Sequence, residues 1–321
     1  MIRRWLPVAV SVFIADIGPA VAQGFPAKPV RIVVPYAAGG PYDDIARTLG
    51  QRLTEIWGQA VLVENRGGAG GNIGAEVVAK AVPDGYTVLL GNAGPITVNP
   101  TLFKKLPYDP QRDLAPIGMI NAGRMVLSVH PSLPVKSVKE LVALAKSSPG
   151  KLTFASSGVG NLQHLGMELL QIQAGVKMNH IPYKGAAPAF VDLISGQVDS
   201  MFANIVGTMP HLRTGRVRAI AVSSAARSTL LPEVPSVAET FKGFDIPTWS
   251  GLFAPAGTPR ENLARLTGDL MKVLQRADVR ERFASQGSEA TPSTAEALAE
   301  HVRKETLMYA HVIRSAGITT E

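Results

Sequence analysis

Two short stretches of the chain put small residues and hydrogen-bonding groups where a strand pattern gives way to a helical one. In "VVPYAAGGPYDDIARTL" (33–49) the strand pattern ends near Tyr36 and the helical one starts at Pro41. Between them stands Ala37-Ala38-Gly39-Gly40, which has almost no side chain. The first N–H groups of a helix lack internal partners and carry partial positive charge. A carboxylate or phosphate fits such a turn. Gly39 and Gly40 permit close approach, and Pro41 suits the first helical position. "TFASSGVGNLQHLG" (153–166) repeats the plan of strand, small-residue turn and helix. There Ser156, Ser157 and Asn161 add side-chain donors around Gly158 and Gly160. One glycine-rich turn can be merely tight. Two, one in each half of the chain, point to an anionic ligand.

Other chemistry has little to stand on. "ENRGGAGGNIG" (64–74) completes no G-x-G-x-x-G, and G-x-x-x-x-G-K-[ST] occurs nowhere, so that loop reads as a tight turn between strand and helix. No G-x-S-x-G occurs. Ser148 and Lys151 match S-x-x-K, but Pro149-Gly150 makes the segment a turn rather than one helix face. His164 and Glu168 are spaced for one face of a helix, yet lack a third metal partner in sequence, so His164 reads as a packing or hydrogen-bonding histidine. His130, His180, His211, His301 and His311 form no motif. Catalytic residues, a metal site and a cofactor are therefore not expected. Tyr36, Tyr183 and Phe202 lie near strand ends, where each either flanks a ligand or packs in the core.

The elements that carry these turns follow from hydrophobic pattern. "VRIVVPY" (30–36), "VLVEN" (61–65) and "TVLLGN" (87–92) are short, rich in Val and Leu, and bounded by Gly, Pro or Asn. Helical stretches near 41–57 and 72–81 alternate with them, which gives βαβαβ and a parallel sheet. The pattern restarts at Met125, with strand candidates at "MVLSVH", "LTFASS", "MNHIPY", "SMFANI" and "RAIAVSS". "SVKELVALAKSS" (137–148) is a helix with Ser137 as cap and Glu140 placed for a capping box. Residues 161–175 form another, with Leu162, Leu165, Leu169 and Ile172 in one stripe. Pro-rich segments at 231–236 and 243–251 mark a second boundary. Beyond it come the strand "LFAPAG" and helices near 259–276 and 293–315. The fold class is therefore α/β, two units with a helical C-terminal segment left over.

The chain has 321 residues, 46% hydrophobic and 18% charged, enough for about two domains. Its formal charge is +7, but basic residues are scattered, so nucleic acid is not expected as a partner. A mildly basic surface suits an anionic small ligand. Met1-Ile2-Arg3-Arg4, the apolar stretch to Ile17 and Ala20-Val21-Ala22 read as a secretory signal peptide over residues 1–22, cleaved before Gln23. A retained N-terminal anchor is the alternative. No cysteine is present, so an exported chain must hold itself together by its core, without disulfides.

"PYAAGGPYDDIAR", "VENRGGAGGNIGAE", "PDGYTVLLGN", "KKLPYDP", "HIPYKGAAPA" and "GLFAPAGTP" occur in this order. With them the chain resembles the Bug (TctC-like) family, the periplasmic solute-binding proteins of tripartite tricarboxylate transporters, from about Phe25 to its C-terminus. The resemblance implies a two-lobed type II periplasmic binding fold, each lobe a mostly parallel sheet flanked by helices, with the ligand in the cleft. It implies lobe 1 over 23–124, lobe 2 over 125–246 and a return to lobe 1 over 247–321. It implies a periplasmic monomer that binds a small carboxylate and delivers it to membrane transporter subunits. A sensor docking on a receptor is the alternative, and an exported hydrolase the remote one.

The ligand-binding residues expected on this reading are Tyr36, Ala38, Gly39, Gly40, Asp43, Asn92, Ser156, Gly160, Asn161, Tyr183 and Asn204. Asp43, in the family's G-G-x-x-D pattern, is expected to cap the helix or order water. Where the family often has Ser or Thr after the second Gly of S-x-G-x-G, this chain has Asn161. Where it often has Asp-Asn before a helix, it has Ala203-Asn204. If residue 203 faces the ligand, the site lacks an acid to pair with a buried ammonium. A ligand without an amino group is the expectation.

Overall fold

The computed structural model describes residues 24–319, and the expected signal peptide lies outside them. Among the described residues eleven strands form two sheets. In chain order they are β1 (Val30–Val34), β2 (Val61–Asn65), β3 (Thr87–Asn92), β4 (Leu114–Gly123), β5 (Met125–Val129), β6 (Thr153–Ser156), β7 (Asn179–Pro182), β8 (Ser200–Asn204), β9 (Arg218–Val222), β10 (Thr248–Pro255) and β11 (Ser288–Ala290). The first sheet runs β11-β4-β10-β3-β1-β2 and the second β7-β6-β8-β5-β9. β1 is parallel to β2 and β3, and β6 is parallel to β7 and β8. β5 and β10 run antiparallel to their neighbours. The protein is two-lobed, one sheet to each lobe, with helices packed on both.

The sequence explains most of this. Val30, Ile32, Val33 and Val34 are fully buried, as a strand covered on both faces requires. Parallel pairing needs crossovers, which the helices Pro41–Trp57 and Asn72–Ala79 supply. The glycine-rich segment before the second helix is a tight turn, with Gly68, Gly70 and Gly71 at positive φ. A Cβ on Gly74 would stand 2.7 Å from Pro35 Cα, so only glycine lets that helix lie against the end of β1. Ser137 caps the helix Val138–Ser147 as expected, but Glu140 reaches back to the Lys136 N–H rather than to that of the cap.

Several helices and two strands carry no such signature. β4 is the longest strand and sits inside the first sheet, yet Pro116, Gly118 and Gly123 interrupt its pattern. The short β11 and the helices Ala186–Ser195, Ile205–Arg213 and Ala277–Ser285 also lack a local pattern that marks them. Pro188 and Pro210 lie inside two of those helices.

The chain passes between sheets twice. Only Arg124 separates β4 from β5, and residues 223–247 lead from β9 back to β10. One hydrophobic cluster runs through both lobes, from Val33 and Leu89 to Leu127, Phe154 and Phe202. The helix Ala295–Ser315 adds Leu298, Val302 and Tyr309 to it and packs against the helix Leu162–Ala174. Among the described residues no helix is long and apolar enough to cross a membrane.

A buried acid lies where these parts meet. Glu305 Oε2 is 2.8 Å from both Trp249 Nε1 on β10 and Thr97 Oγ1, and Tyr309 donates to Oε1 at 3.3 Å. Thr97 Oγ1 is also 2.9 Å from the Ala93 carbonyl oxygen. Thr97, Trp249 and Tyr309 all donate to the Glu305 carboxyl, and these bonds offset part of the cost of burying its charge. Burial, with Asp245 adding repulsion, raises its pKa from 4.5 to about 7.

The folded chain thus holds a proton that the unfolded chain releases. That stability is full below about pH 4.5 and is lost as pH rises through about 7. Glu305→Gln imitates the protonated acid. Its urea midpoint should exceed that of the parent at pH 8, by up to about 3 kcal/mol, and the advantage should vanish towards pH 4.5. Equal midpoints at every pH would show that Glu305 does not carry this proton.

Candidate ligand-binding cleft

The first turn is built by its own neighbours. Gly40 is the N-cap of the helix Pro41–Trp57, with Pro41 at the first position. Gly39 has φ +80 and donates its N–H to Asp43 Oδ2 at 2.9 Å. Arg47 Nε meets the same oxygen at 3.0 Å. These bonds, Arg47 foremost, hold the buried Asp43 carboxyl below the usual carboxylate range. Asp43 is therefore the turn's internal brace, and it occupies one of the N–H groups that a ligand would meet. Tyr36 donates to Asn92 Oδ1 at 2.9 Å and stacks on Tyr42 with ring centroids 4.9 Å apart. Burial raises the Tyr36 phenol far above its ordinary range, so it stays neutral.

The second turn spends its donors on itself. Ser157 N–H goes to Gln163 Oε1 at 2.7 Å, Gly158 N–H to Ser156 Oγ at 3.2 Å and Gly160 N–H to His164 Nδ1 at 3.1 Å. Asn161 is the N-cap of the helix Leu162–Ala174, and its Nδ2 donates to Ser157 Oγ at 2.8 Å. His164 is thus a hydrogen-bonding histidine. It stacks at 3.7 Å on His180, whose pKa burial and that neighbour lower to about 4. Ser156 Oγ is 2.7 Å from His180 Nε2 and 2.9 Å from the Gly158 carbonyl oxygen. Ser156 Oγ donates to the Gly158 carbonyl and also accepts the Gly158 N–H, so the turn itself occupies this hydroxyl. The pair resembles a nucleophile and base in distance alone. Tyr183 turns away into lobe 2 and donates to Asp192 Oδ2 at 2.5 Å, which with burial raises its pKa to about 12.

Between the lobes lies a cleft of about 610 Å³. It brings together Gly39, Gly40, Pro41 and Tyr42 of the first turn with Asn204, Val206 and Gly207 from the end of β8 and the helix after it. Asn204 caps that helix by accepting from Val206 N–H at 2.9 Å. The other expected residues, Tyr36, Ala38, Asp43, Asn92, Ser156, Gly160, Asn161 and Tyr183, do not line this cavity. The wall near the sheet crossings holds residues that the sequence reading missed: Asp44, Asn121, Thr248, Trp249, Arg282 and Gln286. They come from four separate segments, and no local pattern joins them.

Two glycines mark where the lobes touch. A Cβ on Gly160 would fall 2.4 Å from Leu102 Cδ2, and one on Gly287 would fall 2.5 Å from Val206 Cγ2. The expectation that residue 203 faces the ligand is not met. Ala203 is 1% exposed and packs with Ala155, Phe190 and Met201 inside lobe 2. Alternation along β8 turns Asn204 to the cleft and Ala203 away from it.

The family model described as the tripartite tricarboxylate transporter family receptor, TctC, matches residues 45–318. The chain belongs to this family. Protein BugT of Bordetella pertussis is similar to it, 37% identical over 317 residues and 97% of each chain. Among solved structures, Rpa4515 of Rhodopseudomonas palustris, described with adipate, shares 34% identity at a TM-score of 0.78, over 92% of this chain and 99% of that one. MatC of Rhodopseudomonas palustris, with bound malate, shares 33% at 0.74, over 90% and 100%. The TctC family match begins at Ile45, so it includes the second turn but not Gly39-Gly40.

The position of Ala203 has a direct consequence for this TctC receptor. Ala203→Asp would place an unpaired charge in the lobe 2 core rather than in the cleft. It should cost more than ~3 kcal/mol of stability. Chemical denaturation checks this. A stable variant with weakened anion binding would put residue 203 at the ligand after all.

Proposed function

We propose that the protein is a periplasmic receptor that closes on a small organic acid lacking an amino group and hands it to a membrane transporter. The observation that carries this reading is the first turn: a helix N-terminus opening on the cleft opposite Asn204, with both nearby acids already paired. Asp43 is bound to Arg47 and the Gly39 N–H, and Asp44 to Arg282 and Gln286. Neither is left to neutralise an ammonium group, so a free amino acid would bury its positive charge unpaired. Adipate and malate, named with the two similar solved structures, are acids of the favoured kind.

On this reading Ala38 and Gly40 offer their N–H groups to a ligand carboxylate, with Gly39 held in shape for them. Tyr36 and Asn92 support the turn from behind. Asn204 contacts the ligand from lobe 2, and Ser156, Gly160, Asn161 and Tyr183 form the second wall when their loop moves inward. Residues 23–124 and 247–321 act as one lobe and 125–246 as the other. The receptor works as a monomer after cleavage before Gln23.

A thermal-shift screen of mono-, di- and tricarboxylates against the mature chain tests the reading. Ligand at 100 times Kd adds about 2.7 kcal/mol, a rise of roughly 5–10 °C. Aspartate and glutamate should give little. No shift with any organic acid, or a shift with amino acids alone, would overturn the proposal.

Gly39→Val tests the turn itself. A Cβ there meets nothing within 4 Å, so the variant should fold, while its φ of +80 suits a β-branched residue poorly. Calorimetry should find carboxylate affinity lost with a stability cost of about 1–2 kcal/mol. Unchanged affinity would remove this turn from the site.

A further inference from the structure

Trp249 lines the cleft from the start of β10, yet it is almost wholly buried. Its indole N–H donates to Glu305 Oε2 at 2.8 Å, and its ring stands perpendicular to that of His301 with centroids 5.2 Å apart. Glu305 and His301 do not line the cleft themselves. They stand one turn apart on the helix Ala295–Ser315, and both hold the same tryptophan. His301 Nε2 is buried and has no hydrogen-bond partner among the described residues. It lies 3.8 Å from Glu305 Oε1, just outside hydrogen-bond range. Thr97 and Trp249 both donate to Oε2, which leaves Oε1 to carry a proton, on the side of that nitrogen. A shift of about 1 Å lets the two side chains share it. Since both grip the indole, a shift of either one moves the cleft wall.

Other charges bear on this pair. Asp245, on the chain between β9 and β10, repels the ionised acid and favours a protonated His301, while Lys304 opposes the latter. Arg124, at the first sheet crossing, acts in turn on Asp245. Tyr309 and the cleft residue Tyr42 feel the Glu305 charge and are held neutral by burial. We propose that Glu305 is a positioning residue that acts through Trp249: while it holds a proton shared with His301, the indole completes the cleft wall, and when it ionises the receptor loosens its hold on an anion. Ionisation has two effects of the same sign. It strengthens the pull of the carboxyl on the indole N–H, since bonds to a charged acceptor are the stronger ones. It also puts a negative charge behind the wall that a ligand carboxylate faces. By reciprocity, a ligand anion draws a proton onto Glu305. The inference rests on the carboxylate reading above and adds a proton to it.

With residues 1–22 removed, the chain keeps two tryptophans, Trp57 and Trp249. Trp57→Phe leaves Trp249 alone to report on its surroundings. Its fluorescence should titrate with a midpoint at about pH 7. Glu305→Gln in that background should abolish the titration. Asp245→Asn should move the midpoint to lower pH, because the repulsion that helps keep the proton on Glu305 is gone. Calorimetry with adipate should find affinity in the parent falling about fivefold or more from about pH 6.5 to 8.5, and holding level in Glu305→Gln. If Glu305 is only a strut beneath the tryptophan, Glu305→Gln will change Tm while emission and affinity keep the pH dependence of the parent, which overturns the inference. A parent emission that stays flat through pH 7 overturns it as well. Should adipate and every other carboxylate fail to bind, the carboxylate reading itself falls, and the emission titration decides the proton alone.

Discussion

The carboxylate of Asp43 holds the first turn open to the cleft. Gly39 sits at positive φ with nothing beside it, a conformation that a loose loop would abandon. The Asp43 side chain ties its N–H to the first turn of the helix, where a negative charge is favoured by the helix dipole. Arg47, one turn on, fixes Asp43 in its place. Behind the turn, Asn65 donates to the Tyr36 carbonyl and the Tyr36 ring lies on Tyr42. The end of β1, the end of β2 and the helix between them are thereby locked into one unit. The N–H groups beyond Gly39 keep their positions because that unit is rigid.

Much of this architecture is visible in sequence because it depends on local rules. Apart from Arg31 the β1 run is all Val and Ile because both faces are covered, and the crossover helices carry their apolar stripes with them. β4 is hidden by Pro116, Gly118 and Gly123. The glycines have reasons that only the tertiary structure supplies: a Cβ at 118 would strike the Ser293 carbonyl oxygen at 2.8 Å, and one at 123 would strike Thr248. Close approach of distant segments, not turn formation, put glycine there.

The site was legible in part for the same reason. A helix N-terminus and its preceding small residues are contiguous, so Gly39 and Gly40 could be named from pattern, while Asn204 came from the family resemblance. Asn121 reaches the cleft at the end of β4, and Thr248, Arg282 and Gln286 reach it through the second sheet crossing and the final helices, from segments about 80 to 240 residues from the first turn. Ala203 failed because its neighbour, not itself, holds the strand-end position that turns outward. Pattern identifies the turn; the fold alone decides which side chains oppose it.

The hydrophobic cluster common to both lobes governs how the molecule can move. Two bodies joined only by strands would swing freely about the crossings, a pure hinge. Here Leu298, Val302 and Tyr309 of the last helix share one apolar interior with Leu165, Leu169 and Phe202 of the other lobe. Swinging apart would wet that surface, at about 25 cal/mol for each Å² exposed. Sliding the helix Leu162–Ala174 along the helix Ala295–Ser315 would keep it dry, since packed helices tolerate small lateral shifts. The cheaper path is shear. The molecule is then better pictured as two plates held by a greased joint than as a jaw on a pin.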